Sequence, residues 1–196
     1  EGILDENGVV CGAVFKSPTD LQHLMIESKE EIPGMSGSKY IQSNMSGIYR
    51  KVEEKLKENR KVLFSGTPCQ INALRCYLKR DYDNLFTCEV LCHGIASTKW
   101  YIDVLRDITK GNLEKIKEVE FRNKDKGWEK SQFIVVEKNG KRHHCLSYWG
   151  AFGYPFSRRI LSRKVCLSCR FSTKRRGADI TLGDYSGTDK DRFWPE

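Results

Sequence analysis

No stretch of this 196-residue chain approaches the run of about 20 apolar residues that a membrane-spanning helix requires, so a helical span is excluded. The chain also lacks an initiator Met and an apolar leader. Its opening, Glu1-Gly-Ile-Leu-Asp5, reads as the start of a cut fragment, and an upstream module is expected to be missing. Internal repeats and low-complexity stretches are absent. Eight cysteines are too few for a small disulfide scaffold, and no secretory signal accompanies them. A reducing, cytoplasmic compartment is therefore expected, where clustered cysteines serve metals or redox chemistry. A composition 39% hydrophobic and 31% charged excludes disorder, and the length suits a single domain able to bury a core.

What is present begins with charge. The formal net charge is +8, from 34 Lys and Arg against 26 Asp and Glu. Such an excess attracts nucleic acid, an acidic protein surface or a polyanionic cofactor, the simple alternative being a solvated basic face. Much of it lies in Arg158, Arg159, Arg163, Lys164, Arg170, Lys174, Arg175 and Arg176, which flank two cysteines. Cations there compensate the negative charge of thiolate-bound clusters or flavin phosphates.

The hydrophobic pattern predicts an α/β domain with a mainly parallel sheet flanked by helices. Strands are expected over 8–15, 21–26, 61–65, 85–91 and 178–182, and helices over 47–59, 68–78 and 98–109. Thr67 suits an N-cap, with Pro68 at the first helical position. Ile48, Val52 and Leu56 recur at the spacing of one helical face. Residues 32–46 read as loop. A small antiparallel excursion is expected around 116–145, with Asn139-Gly140 as its turn. Helix is expected to return over 148–161.

Cys166-Leu-Ser-Cys169 is the strongest local signal, since two thiolates separated by two residues grip one metal or a cluster's iron atoms. It is half a site, and a thioredoxin-type redox pair shares the spacing. Two cysteines are candidates to complete it. Cys69 lies at a helix N-terminus, where the macrodipole favours a thiolate. Cys92 ends a strand, at the edge where α/β sheets place ligands. Cys76 lies about 10 Å beyond Cys69 along its helix, and Cys88 about 13 Å from Cys92 along a strand. These two, with Cys11 and Cys145 inside strands, read as structural. Zinc remains an alternative to iron and sulfide for a four-cysteine site. The Gly34–Tyr40 segment offers amides, hydroxyls and a Lys as an anion cradle, or is a plain solvent loop. His93 reads as a proton donor or a polar neighbour of the site.

Taken in order, Ser65-Gly-Thr-Pro-Cys-Gln70, Leu91-Cys-His-Gly94, Cys166-x-x-Cys169 and Ala178-Asp-Ile-Thr-Leu-Gly-Asp184 resemble the coenzyme F-420 hydrogenase/dehydrogenase beta-subunit family. Gly37-Ser-Lys-Tyr-Ile-Gln-Ser43 and Phe121-Arg-Asn-Lys124 with Gly127-Trp128 add to the likeness, which is greatest to the bacterial branch found beside polysaccharide-synthesis genes. The resemblance implies an oxidoreductase domain that binds FAD and a [4Fe–4S] cluster and couples them to a hydride donor or acceptor. It implies Cys69, Cys92, Cys166 and Cys169 as cluster ligands, and Ser38, Lys39, Gly66, Thr67 and Asp184 near the flavin. Expected partners are a ferredoxin-like module or another redox subunit and a small-molecule hydride donor or acceptor. Nucleic acid is not expected. The Gly-rich segment that usually precedes the first strand in this family is absent, so part of the flavin site is expected to lie outside this chain. A second reading, from another class, is a zinc-stabilised binding module whose basic surface docks RNA or an acidic partner. A third is a remnant that binds no cofactor.

Overall fold

The computed structural model describes all residues except 129, 147–148, 174–175 and 185–196. A short helix α1 (Gly2–Asp5) leads into β1 (Val9–Ser17) and β2 (Asp20–Ile26). After a 3-10 turn come α2 (Ile32–Met35), α3 (Ile48–Lys57), β3 (Val62–Gly66), α4 (Pro68–Leu78) and β4 (Leu85–Val90). Next are α5 (Thr98–Ile108) and the strands β5 (Ile116–Asn123), β6 (Gln132–Glu137) and β7 (Arg142–Leu146). Two short helices, α6 (Gly153–Ser157) and α7 (Lys164–Leu167), precede β8 (Ile180–Leu182).

The main sheet has the order β2-β1-β3-β4-β8. Its β1–β2 pair is antiparallel, while β1–β3, β3–β4 and β4–β8 are parallel. The strands β5-β6-β7 form a separate antiparallel sheet. The expected α/β class, with a mainly parallel sheet and an antiparallel excursion, is the observed one.

Two cores hold this framework. In the first, Ile48, Val52 and Leu56 of α3 and Ile71, Leu74 and Leu78 of α4 close over Val9, Val62 and Phe64. The apolar face of α3 is the one its spacing predicts, and its other positions are charged apart from Tyr49. In the second, α5 and the antiparallel sheet enclose an aromatic group. The Phe121 ring centroid lies 5.3 Å from Tyr101, 5.5 Å from Phe133 and 5.2 Å from Phe152. Such pairs contribute about 0.5–1.5 kcal/mol each beyond the area they bury. All six residues of the central strand β6 are buried.

Two expectations need correction. The helix expected over 148–161 shrinks to Gly153–Ser157, because Pro155 in its first turn cannot sit deeper in a longer helix and Arg159, at φ 58°, leaves the helical conformation after it; Tyr148 lies outside the described residues. The loop expected over 32–46 contains α2, with Pro33 in its first turn, where the missing N–H costs nothing.

Candidate functional site

The parallel register brings Cys69 and Cys92 to the same edge of the sheet. Gly66 pairs with Glu89, so β3 and β4 end side by side. Cys69 follows β3 by three residues, and Cys92 follows β4 by two. Thr67 is extended and serves as N-cap of α4. Its N–H donates to Gln70 Oε1 at 2.9 Å, and its hydroxyl lies 3.1 Å from Cys69 Sγ.

Backbone contacts carry the second pair of cysteines to this edge. Ser97 N–H donates to the Leu161 carbonyl, and Arg163 N–H to the Ile95 carbonyl, so 95–97 and 161–163 run alongside each other. The next turn lies against Gly94, whose added Cβ would meet Cys166 Cβ at 3.6 Å. Gly94 has φ +137°, a left-handed-side value that favours glycine. His93 Nε2 donates to the Ser157 carbonyl at 3.1 Å, fixing the Cys92 loop to α6. Burial, followed by the charge of Arg159, holds this imidazole below its usual pKa.

All eight cysteines are free thiols. Burial is the main influence pushing the Cys92 thiol up, although its residue keeps an exposed surface. A backbone hydrogen bond at Gly94 opposes this, and negative charge on Cys69, Cys166 and Cys169 pushes it up further. Thiols from three remote segments are therefore neighbours close enough to feel one another. They are not drawn tightly round one point: among the described residues no three His, Cys, Asp or Glu side chains form a site for a single metal ion. The donor set contains sulfur only, which suits iron–sulfur clusters or zinc. Of the rest, Cys11 and Cys88 are buried, Cys145 is half-buried and Cys76 is exposed on α4.

The expected flavin contacts are distributed differently. Gly66 is buried, and the space a side chain would need there is taken by Gln70 Oε1 at 3.0 Å. Ser38 is half-buried in the loop after α2. Lys39 Nζ donates to the carbonyls of Ser36 at 2.7 Å, Met35 at 3.1 Å and Gly37 at 3.2 Å. Burial lowers its pKa to about 8. Asp184 pairs with Arg122 of β5 at 2.6 Å, and that guanidinium lies 4.4 Å from the Trp128 ring. An open hollow of ≈ 540 Å³ lies at the opposite end of the sheet, beside Leu56, Lys61, Arg80 and Asn84, away from all these groups.

Sequence reasoning missed two features. One is a polar relay in the interior: Gln70 Nε2 donates to Ser43, Ser43 Oγ to His23 Nδ1 at 2.8 Å, and His23 Nε2 to the Ser65 carbonyl at 2.9 Å. A carbonyl only accepts, which fixes the tautomer. The relay braces the β3–α4 turn that carries Cys69. The other is Glu89, fully buried beside Thr181 and 3.5 Å from Arg176, with Oε2 making no hydrogen bond among the described residues. An acid within the strand-like run Leu85–Leu91 was the available signal.

The family model that describes the C terminus of the coenzyme F420 hydrogenase/dehydrogenase beta subunit matches residues 59–194, well over half of the chain. The chain belongs to this family. Among solved structures, a chain of the F420-reducing [NiFe] hydrogenase complex from Methanosarcina barkeri, described in a xenon-derivatization study, is similar in fold. It superposes with a TM-score of 0.55 at 18% identity, covering 85% of this chain. The present chain spans 55% of that relative's length. No curated protein matches. The family takes its name from beta subunits of hydrogenases and dehydrogenases, and no helix among the described residues is long and apolar enough to cross a membrane.

Proposed function

We propose that this chain is an electron-transfer oxidoreductase domain in which Cys69, Cys92, Cys166 and Cys169 hold a [4Fe–4S] cluster beside FAD. The carrying observation is the convergence of four free cysteines from three remote segments on the C-terminal edge of the parallel strands, with the Cys166 turn packed against Gly94 beside Cys92. Thiols give up their protons on binding a cationic centre, and a group of cysteines at one edge is suited to hold one. Ser38, Lys39, Gly66, Thr67 and Asp184 are the proposed flavin contacts. A flavin supplies the conversion between two-electron hydride chemistry and the single-electron steps a cluster relays. For Lys39 to meet a phosphate, its ammonium must leave the three carbonyls it now caps. The hydride donor or acceptor is a small molecule, and a reducing cytoplasm would keep the thiols free. That the similar hydrogenase chain belongs to a complex supports a redox partner subunit here.

The test is anaerobic reconstitution of the full-length protein, with iron, sulfide, zinc and flavin quantified and the visible spectrum recorded. Four irons and four sulfides per chain are expected, with loss of both on changing any one of the four cysteines to Ser, while Cys76→Ser keeps them. Stoichiometric zinc without sulfide would instead establish the zinc-stabilised module.

A further inference from the structure

The charge of this protein is not spread over it. Between Trp149 and Ala178 there are eight Lys and Arg and no acidic residue. Removing these eight from the 34 leaves 26, which equals the 26 acidic residues, so the rest of the chain is formally neutral. The entire excess of +8 therefore sits on the segment that carries Cys166 and Cys169. Arg158, Arg159, Lys164 and Arg170 are exposed, and none makes an ion pair among the described residues.

Apolar side chains lie bare in the same place. Val165 and Leu167, on either side of Cys166, are 65% and 56% exposed. Leu91, next to Cys92, is 53% exposed, and its N–H bonds the carbonyl of Leu182, itself 55% exposed. Exposed aliphatic groups gathered beside a candidate site mark a contact surface. A dry centre with a charged rim is the anatomy of a protein interface.

We infer that this face docks an acidic electron-carrier protein, its apolar centre meeting Val165, Leu167 and Leu91 and its carboxylates meeting Arg158, Arg159, Lys164 and Arg170. The inference rests on the electron-transfer reading above and names its partner. Charge complementarity sets the sign of that partner, steering encounter more than it adds lasting affinity. A polynucleotide fits less well. It would satisfy the cations and stack on Trp149 and Tyr154, exposed in the same segment, but would leave the aliphatic centre of the face bare. Seating the carrier here places it over the four thiols, and a small, transient interface suffices for that traffic.

The probe is a small acidic [2Fe–2S] ferredoxin, titrated calorimetrically into the full-length protein at 50 and 200 mM salt. Binding should weaken at least about tenfold between the two salts. The double variant Lys164→Glu/Arg170→Glu should weaken it about tenfold and flatten the salt response. Leu167→Asn, which adds no charge, should weaken it similarly while keeping the salt response. Lys138→Glu, in the β6–β7 turn, should change nothing. Circular dichroism of each variant confirms the fold. Absent binding, or binding indifferent to salt and to these changes, overturns the inference, as does preferential capture of a single-stranded oligonucleotide. Iron and sulfide analysis keeps the two readings apart. Metal-free protein that still binds through these residues leaves the docking face standing and sinks the electron-transfer reading. Loaded protein indifferent to them does the reverse.

Discussion

The half of the molecule built on the antiparallel sheet and the edge that carries the cysteine pair are held by different forces. Around Phe121, rings of Tyr101, Phe133 and Phe152 interlock inside a buried cluster. At the other extreme, every residue of β8 is exposed and α7 buries none. β8 is fastened to β4 by three residue pairs and by polar contacts: Asp179 accepts from Thr87, and Thr181 donates to Glu89. Packed apolar elements share the global stability, whereas segments held by exposed hydrogen bonds open at lower cost. The difference teaches that this fold stands on its aromatic and aliphatic cores, and that the 164–182 segment gains most from whatever the thiols bind.

Breaking the packed half should have the largest effect. Phe121→Ala removes a ring that touches five others and leaves a cavity, at a cost of about 3–5 kcal/mol. Urea denaturation should show the unfolding free energy falling by that amount, in one transition shared by the whole chain. If instead only the cysteine segment loosens, the contrast between the two regions is wrong.

A smaller effect is expected where the packed half meets the site. Burial holds His23 below the usual imidazole pKa, a hydrogen bond to the Ser65 carbonyl opposing it only in part. The folded pKa lies under the unfolded value near 6.5, so the unfolded chain binds more protons. The stability this neutral ring contributes is complete above about pH 6.5 and declines as pH falls through the folded pKa. The decline cannot exceed about 1.4 kcal/mol per pH unit for one group. Lys51, which lines the same small hollow, adds a further positive charge. His23→Gln keeps a donor and an acceptor but does not titrate, so its thermal midpoint should be flatter between pH 6.5 and 5 than that of the parent. Equal slopes would dismiss the role of this ring.

The parts legible in the sequence were those governed by local periodicity. The i, i+4, i+8 face of α3, the Thr67-Pro68 start of α4 and the Asn139-Gly140 turn appear where the pattern put them. Family membership was legible because its motifs are short, contiguous and strict in residue type. Lys39 was less legible. As a free cation in a Gly/Ser loop it suggests a phosphate cradle, yet here it folds back on the carbonyls that α2 leaves unpaired, an outcome that depends on a helix too short to announce itself. Glu89 and the His23 relay were hidden because a polar residue inside a strand reads as solvent-facing until its partners, 92 and 20 residues away in sequence, are placed.

The smallest effect is expected at the loosely held edge itself. Burial opposes ionisation of Asp179, but hydrogen bonds from the Thr87 hydroxyl and N–H and the charge of Arg75 outweigh it and hold the carboxyl below its usual range. The clamp is therefore intact above the ordinary carboxylate pKa and is released as pH falls through the lowered folded value. Asp179→Ala deletes both acceptor contacts. Because the side chain is half exposed, water replaces part of what is lost, and a cost of order 1 kcal/mol is expected. By hydrogen exchange, amides of residues 180–182 should open about fivefold more often, with the urea midpoint unmoved. Iron and sulfide loading should slow the same amides in the parent protein. A fall in the global midpoint matching the local change would mean that β8 belongs to the cooperative core after all, and that its exposed strand is held by more than the Thr87 clamp.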